Sequence, residues 1–148
     1  MTMDSGSHKG SRPLIGNSEP MRELVEEIER VARSDAKVLI TGESGVGKEL
    51  VATAMHAKSA RAARRLVTVN CAGIPVTLLE SELFGHVRGS FTGAYRDTPG
   101  KIARADRGTL FLDEVGEMSR RMQGVLLRFL ETGEMQKVGS NQANAPME

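Results

Sequence analysis

The sequence predicts an α/β domain built on a parallel sheet. Three observations carry that reading. Short β-branched runs alternate with amphipathic stretches along residues 14–140. One run, KVLIT at 37–41, leads straight into the glycine-rich stretch GESGVGKE at 42–49. Another, GTLFLDEV at 108–115, is continuous in apolar residues until it meets Asp113 and Glu114.

The elements follow in order. Residues 1–13, MTMDSGSHKGSRP, are polar and Gly/Ser-rich and read as a disordered lead-in. NSEPMRELVEEIERVARSD opens with Asn17 or Ser18 as a cap, Pro20 in the first turn and early acids, all helix-start signals. Met21, Leu24, Val25, Ile28 and Val31 then recur at helical spacing and form one apolar face. KVLIT at 37–41 reads as a buried strand, KELVATAMHAKSA as a helix, and LVTVN at 66–70 as a second strand. PVTLLESELFG is a helix closed by Gly85, and PGKIARAD contains a short helix. GTLFLDEV is the third strand. SRRMQGVLLRFLETG is a helix between a Ser119 cap and a Gly133 stop, and EMQKVG is a last short strand. Residues 141–148 read as a tail.

Composition excludes several classes. The formal net charge of +1 gives no electrostatic case for nucleic acid or anionic lipid. Aromatics make up only 3% of the chain, which argues against base-stacking platforms. No apolar run reaches the roughly 18 residues of a membrane span. The single cysteine, Cys71, cannot form an internal disulfide and reads as a small buried hydrophobe in a reducing cytoplasm. His8, His56 and His86 lack metal-ligand spacing, and RAARR at 61–65 reads as a solvated turn.

In parallel α/β sheets, ligands sit beyond the carboxyl ends of the strands. Residues 42–49 fit G-x-x-x-x-G-K in the strand-to-helix context that such a phosphate loop requires. Glycines let backbone N–H groups turn toward phosphate oxygens at a helix N-terminus, and Lys48 supplies a point charge to the outer phosphates. Glu49 stands where Ser or Thr usually gives a magnesium ligand. At the acidic strand end, neighbours on a strand face opposite ways, so Asp113 and Glu114 are expected to differ in role. Asp113 fits a metal-side acid, and Glu114 fits a base that positions attacking water. Asn70 ends the second strand. The stretch GHVRGSFTGAYRD at 85–97 has loop composition with Phe91 near its centre. That phenylalanine either packs back on its own domain or serves as an exposed anchor.

These motifs together resemble the AAA+ ATPase domain of the sigma-54-dependent transcriptional activators, the NtrC-like enhancer-binding proteins. The resemblance runs from about Leu14 to Ser140 and rests on LITGESGVGKELVA, VNCAGIP, LLESELFGHVRGSFTGA, ADRGTLFLDEVGEM and LLRFLETGEMQKVG. It implies the N-terminal part of a three-layer P-loop NTPase fold, ATP and Mg2+ as ligands, and a bacterial cytoplasmic location. Gly42, Glu43, Ser44, Gly45, Val46, Gly47, Lys48 and Glu49 would form the Walker A loop, with Glu49 usual for the family. A second nucleotide-contacting segment would run through Ala105, Asp106, Arg107, Gly108, Thr109, Leu110, Phe111, Leu112, Asp113 and Glu114, with Arg107 where many members have Gly. Leu14, Ile15 and Gly16 match the segment beside the adenine base. Asn70 matches the position that pairs with the Walker B glutamate and relays nucleotide state, here to Glu114; otherwise it is an Asn closing a strand.

The resemblance also implies a partner. Gly89, Ser90, Phe91, Thr92, Gly93 and Ala94 match the family's GAFTGA loop, which the nucleotide cycle raises to touch the sigma-54 factor of RNA polymerase. Ser90 replaces the usual Ala, a departure that bears on activator output. Full-length members form homo-oligomeric rings; this segment implies no direct DNA contact and no membrane. In the family a sensor strand, arginine fingers and a helical lid follow the position of Ser140, and residues 141–148 do not resemble them. The sensor strand would lie between the strands at 37–41 and 108–113. The chain alone is therefore expected to bind nucleotide weakly at most and to turn it over negligibly, since an arginine finger contributes about 10³ to 10⁵ in rate in comparable NTPases. Two rival readings accompany this one: a non-catalytic sigma-54-binding decoy or relic, and another AAA+ machine such as a helicase loader or chelatase.

Overall fold

The computed structural model describes residues 14, 16–45 and 47–141. The chain divides into two compact units, residues 1–60 and 61–148.

The first unit is a helix pair. Helix α1, Glu19–Ala32, has Ser18 at its N-cap and a proline in its first turn; of the predicted apolar face Ile28 is buried and Met21, Leu24, Val25 and Val31 are half-buried, and Ala32 is buried as well. Helix α2, Lys48–Lys58, packs against α1 and buries Ala52. Lys58 Nζ reaches Glu29 Oε1 at 2.6 Å, and that bond holds the Glu29 carboxyl below its usual pKa.

The strand expected at 37–41 is not formed. Among the described residues no strand pairs with this run, and Val38 and Leu39 are 46% and 76% exposed. β-branched composition favours an extended backbone, but a strand exists only where a neighbour completes its hydrogen bonds.

The second unit carries the sheet. Strand β1, Leu66–Asn70, runs parallel to a strand at Thr109–Asp113, register Leu66 to Thr109 through Asn70 to Asp113. A parallel pair needs a crossover, and helix α3, Val76–Phe84, opens it. Two short antiparallel strands, β2 at Gly85–His86 and β3 at Thr98–Pro99, then close the neck of the loop 87–97. Helix α4, Lys101–Arg104, leads into Thr109–Asp113, which is thus β4. A 3₁₀ turn, Val115–Glu117, precedes helix α5, Arg120–Thr132. The Ser119 hydroxyl accepts the Met122 N–H at 3.2 Å, and Gly133 ends the helix at φ 71°, as its cap residues predict.

The core gathers on one side of this unit. Val69 of β1, Leu79, Leu83 and Phe84 of α3, Ile102 of α4, and Met122 and Leu126 of α5 form one buried cluster. Cys71 belongs to it at 3% exposure, and desolvation, with the Asp113 charge second, raises its thiol pKa to about 11. The thiol therefore stays protonated at neutral pH and acts as a small hydrophobe. The strand expected in EMQKVG reduces to one parallel bridge, Val138 to His86, because 133–137 forms no ladder.

Candidate functional site

The expected site residues fall in both units: 42–49 in the first, Asn70 and 105–114 in the second. In the first unit, Ser44 and Gly45 make a turn into α2. Gly45 and Gly47 lie at φ 80° and 91°, where an L side chain is strained; a Cβ at Gly45 would meet nothing, and one at Gly47 only Leu50 Cδ1 at 3.7 Å. Gly47 is the N-cap; its carbonyl accepts the Leu50 and Val51 N–H groups at 3.0 and 3.2 Å, and it has no side chain to cap the N–H groups of Lys48 and Glu49 ahead of them. Lys48 Nζ donates to the Gly42 carbonyl at 3.1 Å, folding its cation back over the turn. This is the arrangement an anionic phosphate group suits. Val46 and Ile15 lie outside the described residues; Leu14 is half-buried and Gly16 exposed.

In the second unit, the register brings Asn70 beside Asp113, and the Cys71 N–H donates to the Asp113 carbonyl at 3.0 Å. The strand ends at Asp113, so the expected alternation stops one residue early. Glu114 takes a left-handed conformation, φ 53° and ψ 45°, and donates its N–H to Asp113 Oδ1 at 2.9 Å. A left-handed turn, rather than the strand pleat, therefore separates the two acids. A non-glycine residue in this region costs roughly 1–2 kcal/mol, and such strain clusters at functional sites. Arg107 carries the same strain at φ 59°. The Gly expected there from many members would adopt that conformation without a Cβ conflict.

Asn70 Oδ1 accepts the N–H groups of Ala72 and Gly73 at 3.0 and 3.3 Å. The side chain thus closes its own turn at the strand end. In the segment leading to the acids, Ala105 is buried, Asp106 exposed, and Gly108 and Thr109 half-buried; Leu110, Phe111 and Leu112 lie within β4. The Thr109 N–H bonds to the Arg65 carbonyl at 2.9 Å. RAARR is a turn, as expected, with Arg61 Nη1 on the Gly108 carbonyl at 3.3 Å.

The loop between β2 and β3 folds on itself. Gly89 N–H donates to the Ala94 carbonyl at 2.8 Å, Ala94 N–H to Phe91 at 3.0 Å, and Arg88 N–H to Asp97 Oδ1 at 2.7 Å. Phe91 is half-buried and meets His86 edge-to-face, centroids 4.9 Å apart. It packs back on its own unit here. Thr92 and Gly93 are exposed and Ala94 is buried. Sequence spacing gives His86 no metal role and no other. Its place five residues after Ser81 and five before Phe91 was the available signal, since Ser81 Oγ lies 2.7 Å from its Nδ1.

Ser90 Oγ is buried without a hydrogen-bond partner among the described residues. An unsatisfied buried hydroxyl costs about 1–3 kcal/mol. Ser90→Ala is therefore expected to raise the unfolding free energy by about 1 kcal/mol, read as a higher urea midpoint. A lower midpoint would show that the hydroxyl is satisfied in solution.

The sigma-54 interaction domain model matches residues 14–147. The chain belongs to that family. Over 131 residues this domain is 54% identical to the anaerobic nitric oxide reductase transcription regulator NorR of Vibrio vulnificus strain YJ016, covering 88% of the chain and 26% of the relative. It is 58% identical over 129 residues to the transcriptional regulatory protein ZraR of Salmonella typhimurium strain LT2, covering 87% and 29%. The Nif-specific regulatory protein of Azotobacter vinelandii is 51% identical over 137 residues, covering 93% and 26%. The domain thus spans about a quarter of the length of these bacterial regulators. Among solved structures, NtrX of Brucella abortus in complex with ADP superposes with TM-score 0.79 at 40% identity, covering 91% of this chain and 29% of that one. NtrX in complex with ATP gives TM-score 0.78 at 40% identity, covering 91% and 30%. The fold is the expected α/β arrangement with a parallel sheet, corresponding to the N-terminal part of an AAA+ domain. No helix among the described residues is long and apolar enough to cross a membrane.

Proposed function

We propose that this domain binds ATP and contacts sigma-54 as part of a bacterial cytoplasmic activator that couples ATP hydrolysis to remodelling of the sigma-54 RNA polymerase holoenzyme. The observation that carries the proposal is the pairing, within one family match, of a Lys48-bearing glycine turn at the start of α2 with the loop Gly89–Ser90–Phe91–Thr92–Gly93–Ala94.

In this reading the N–H groups of 42–49 and the Lys48 cation hold phosphate oxygens. Residues 105–112 give a second nucleotide contact. Asp113 suits a magnesium ion, which binds through one or two carboxylates plus substrate phosphates. When bound, that ion would neutralise phosphate charge. Glu114 orients a water and accepts its proton. Asn70 shares the register position of Asp113, from which its amide can report on the acidic strand end. Phe91 and Thr92 supply the apolar and polar contacts to sigma-54. The full-length protein would act as a homo-oligomeric ring, with no direct DNA contact from this segment.

Equilibrium binding to immobilised sigma-54 tests the reading. Phe91→Ala is expected to weaken binding by about 30-fold, the loss of an aromatic hot spot. Undiminished binding in Phe91→Ala would contradict it.

A further inference from the structure

We propose that His86 is a positioning residue: it holds Phe91 against the domain and so sets how often the loop offers that ring to a partner. The inference rests on the reading of residues 89–94 as the partner loop. Its physical basis is a contrast between a fixed post and a movable arm.

His86 is the post. Its backbone pairs antiparallel with Thr98 and bridges in parallel to Val138. Its ring is oriented by Ser81, whose hydroxyl lies 2.7 Å from Nδ1. Ser81 rides on α3, and that helix is rooted in the core by Leu79, Leu83 and Phe84, each at most 2% exposed. Backbone and ring are thus tied to three separate parts of the unit.

Phe91 is on the arm. It lies between Gly89 and Gly93, at φ 80° and 100°, and a Cβ built on either glycine meets nothing within 4 Å. Space is open at the two glycines themselves, although Ser90 and Ala94 beside them are packed, and glycine backbones can change conformation there at little steric cost. The ring itself sits edge-to-face on His86 at 4.9 Å and 68°. Four residues later on the same loop, Tyr95 is 85% exposed. One aromatic side chain is held and the other is open, and this difference makes the device measurable.

Chymotrypsin cleaves after both residues, so limited digestion of the intact chain reads the ratio of cuts at Phe91 and Tyr95. In the unmodified chain Tyr95 should be cut first. His86→Ala should raise the Phe91-to-Tyr95 ratio roughly 3- to 10-fold, the factor an edge-to-face pair supplies. His86→Phe keeps a ring at the post and should restore the low ratio. Ser81→Ala removes only the orienting bond and should give an intermediate value.

Equal acceleration at both sites would be general loosening and would overturn the proposal, as would an unchanged ratio in His86→Ala. Cutting at the core residue Phe84 would report global unfolding; Ser81→Ala then decides, and an unchanged ratio there overturns the proposal. The same variants on immobilised sigma-54 separate the two readings. A shifted ratio with no sigma-54 binding by any variant would leave the post standing and remove the partner assignment. Phe91-dependent binding with an unshifted ratio would do the reverse.

Discussion

Phe84→Ala is expected to lower the unfolding free energy of the second unit by about 3–5 kcal/mol, the range for deleting a buried phenylalanine ring. Phe84 is 2% exposed and ends α3 inside the cluster that joins β1, α3, α4 and α5. Its ring meets Phe129 of α5 edge-on, centroids 6.2 Å apart at 80°. Truncation removes that contact and leaves a cavity between helices fixed by Leu79, Leu83, Met122 and Leu126. A typical domain has about 5–15 kcal/mol to lose, so much of the population would unfold under mild stress. Far-UV circular dichroism in urea should show the midpoint falling by more than about 1 M, given m-values near 1–3 kcal/mol/M. A loss below about 1 kcal/mol would mean that Phe84 is not central to the core. The consequence reaches the loop, because Phe84 is followed directly by Gly85 and His86 of β2.

The helices were legible because their signals are local. Ile28 is buried on the apolar face that spacing predicts, Ser119 caps α5 with its own hydroxyl, and Gly133 stops it at positive φ. Strand β1 was legible to the residue. Residues 37–41 were not, since pairing depends on a neighbour that composition does not describe. The segment 134–139 failed for the same reason, keeping a single bridge at Val138.

Within the candidate site, the glycine turn was legible because Gly45 and Gly47 take conformations that other residues avoid. Two details were not. Glu114 leaves the strand in a left-handed turn, which no propensity favours for glutamate. The Phe91 ring had two open fates in the sequence, and the choice made here depends on the ring of His86 at the loop neck, a side-chain contact that neither residue type specifies. For Asn70 the strand-closing role appears directly in its bonds to Ala72 and Gly73. Its relay to Glu114 remains part of the proposal.

If residues 42–49 hold nucleotide, Lys48→Ala should abolish the binding. Lys48 opens α2 beside an N-cap without a side-chain bond, and its ammonium already folds to the Gly42 carbonyl at 3.1 Å. Removing it takes away the one cation of the turn and leaves the helix and its packing on α1 intact, so the unliganded melting temperature should hardly move. Thermal unfolding with and without Mg-ATP then isolates binding. At about 100 times its dissociation constant, ATP should stabilise the unmodified chain by roughly 2.7 kcal/mol, a rise of about 5–11 °C for a chain of this size. That rise is expected in the unmodified chain, and its loss in Lys48→Ala. An equal rise in both, or none in the unmodified chain, would contradict nucleotide binding by this turn.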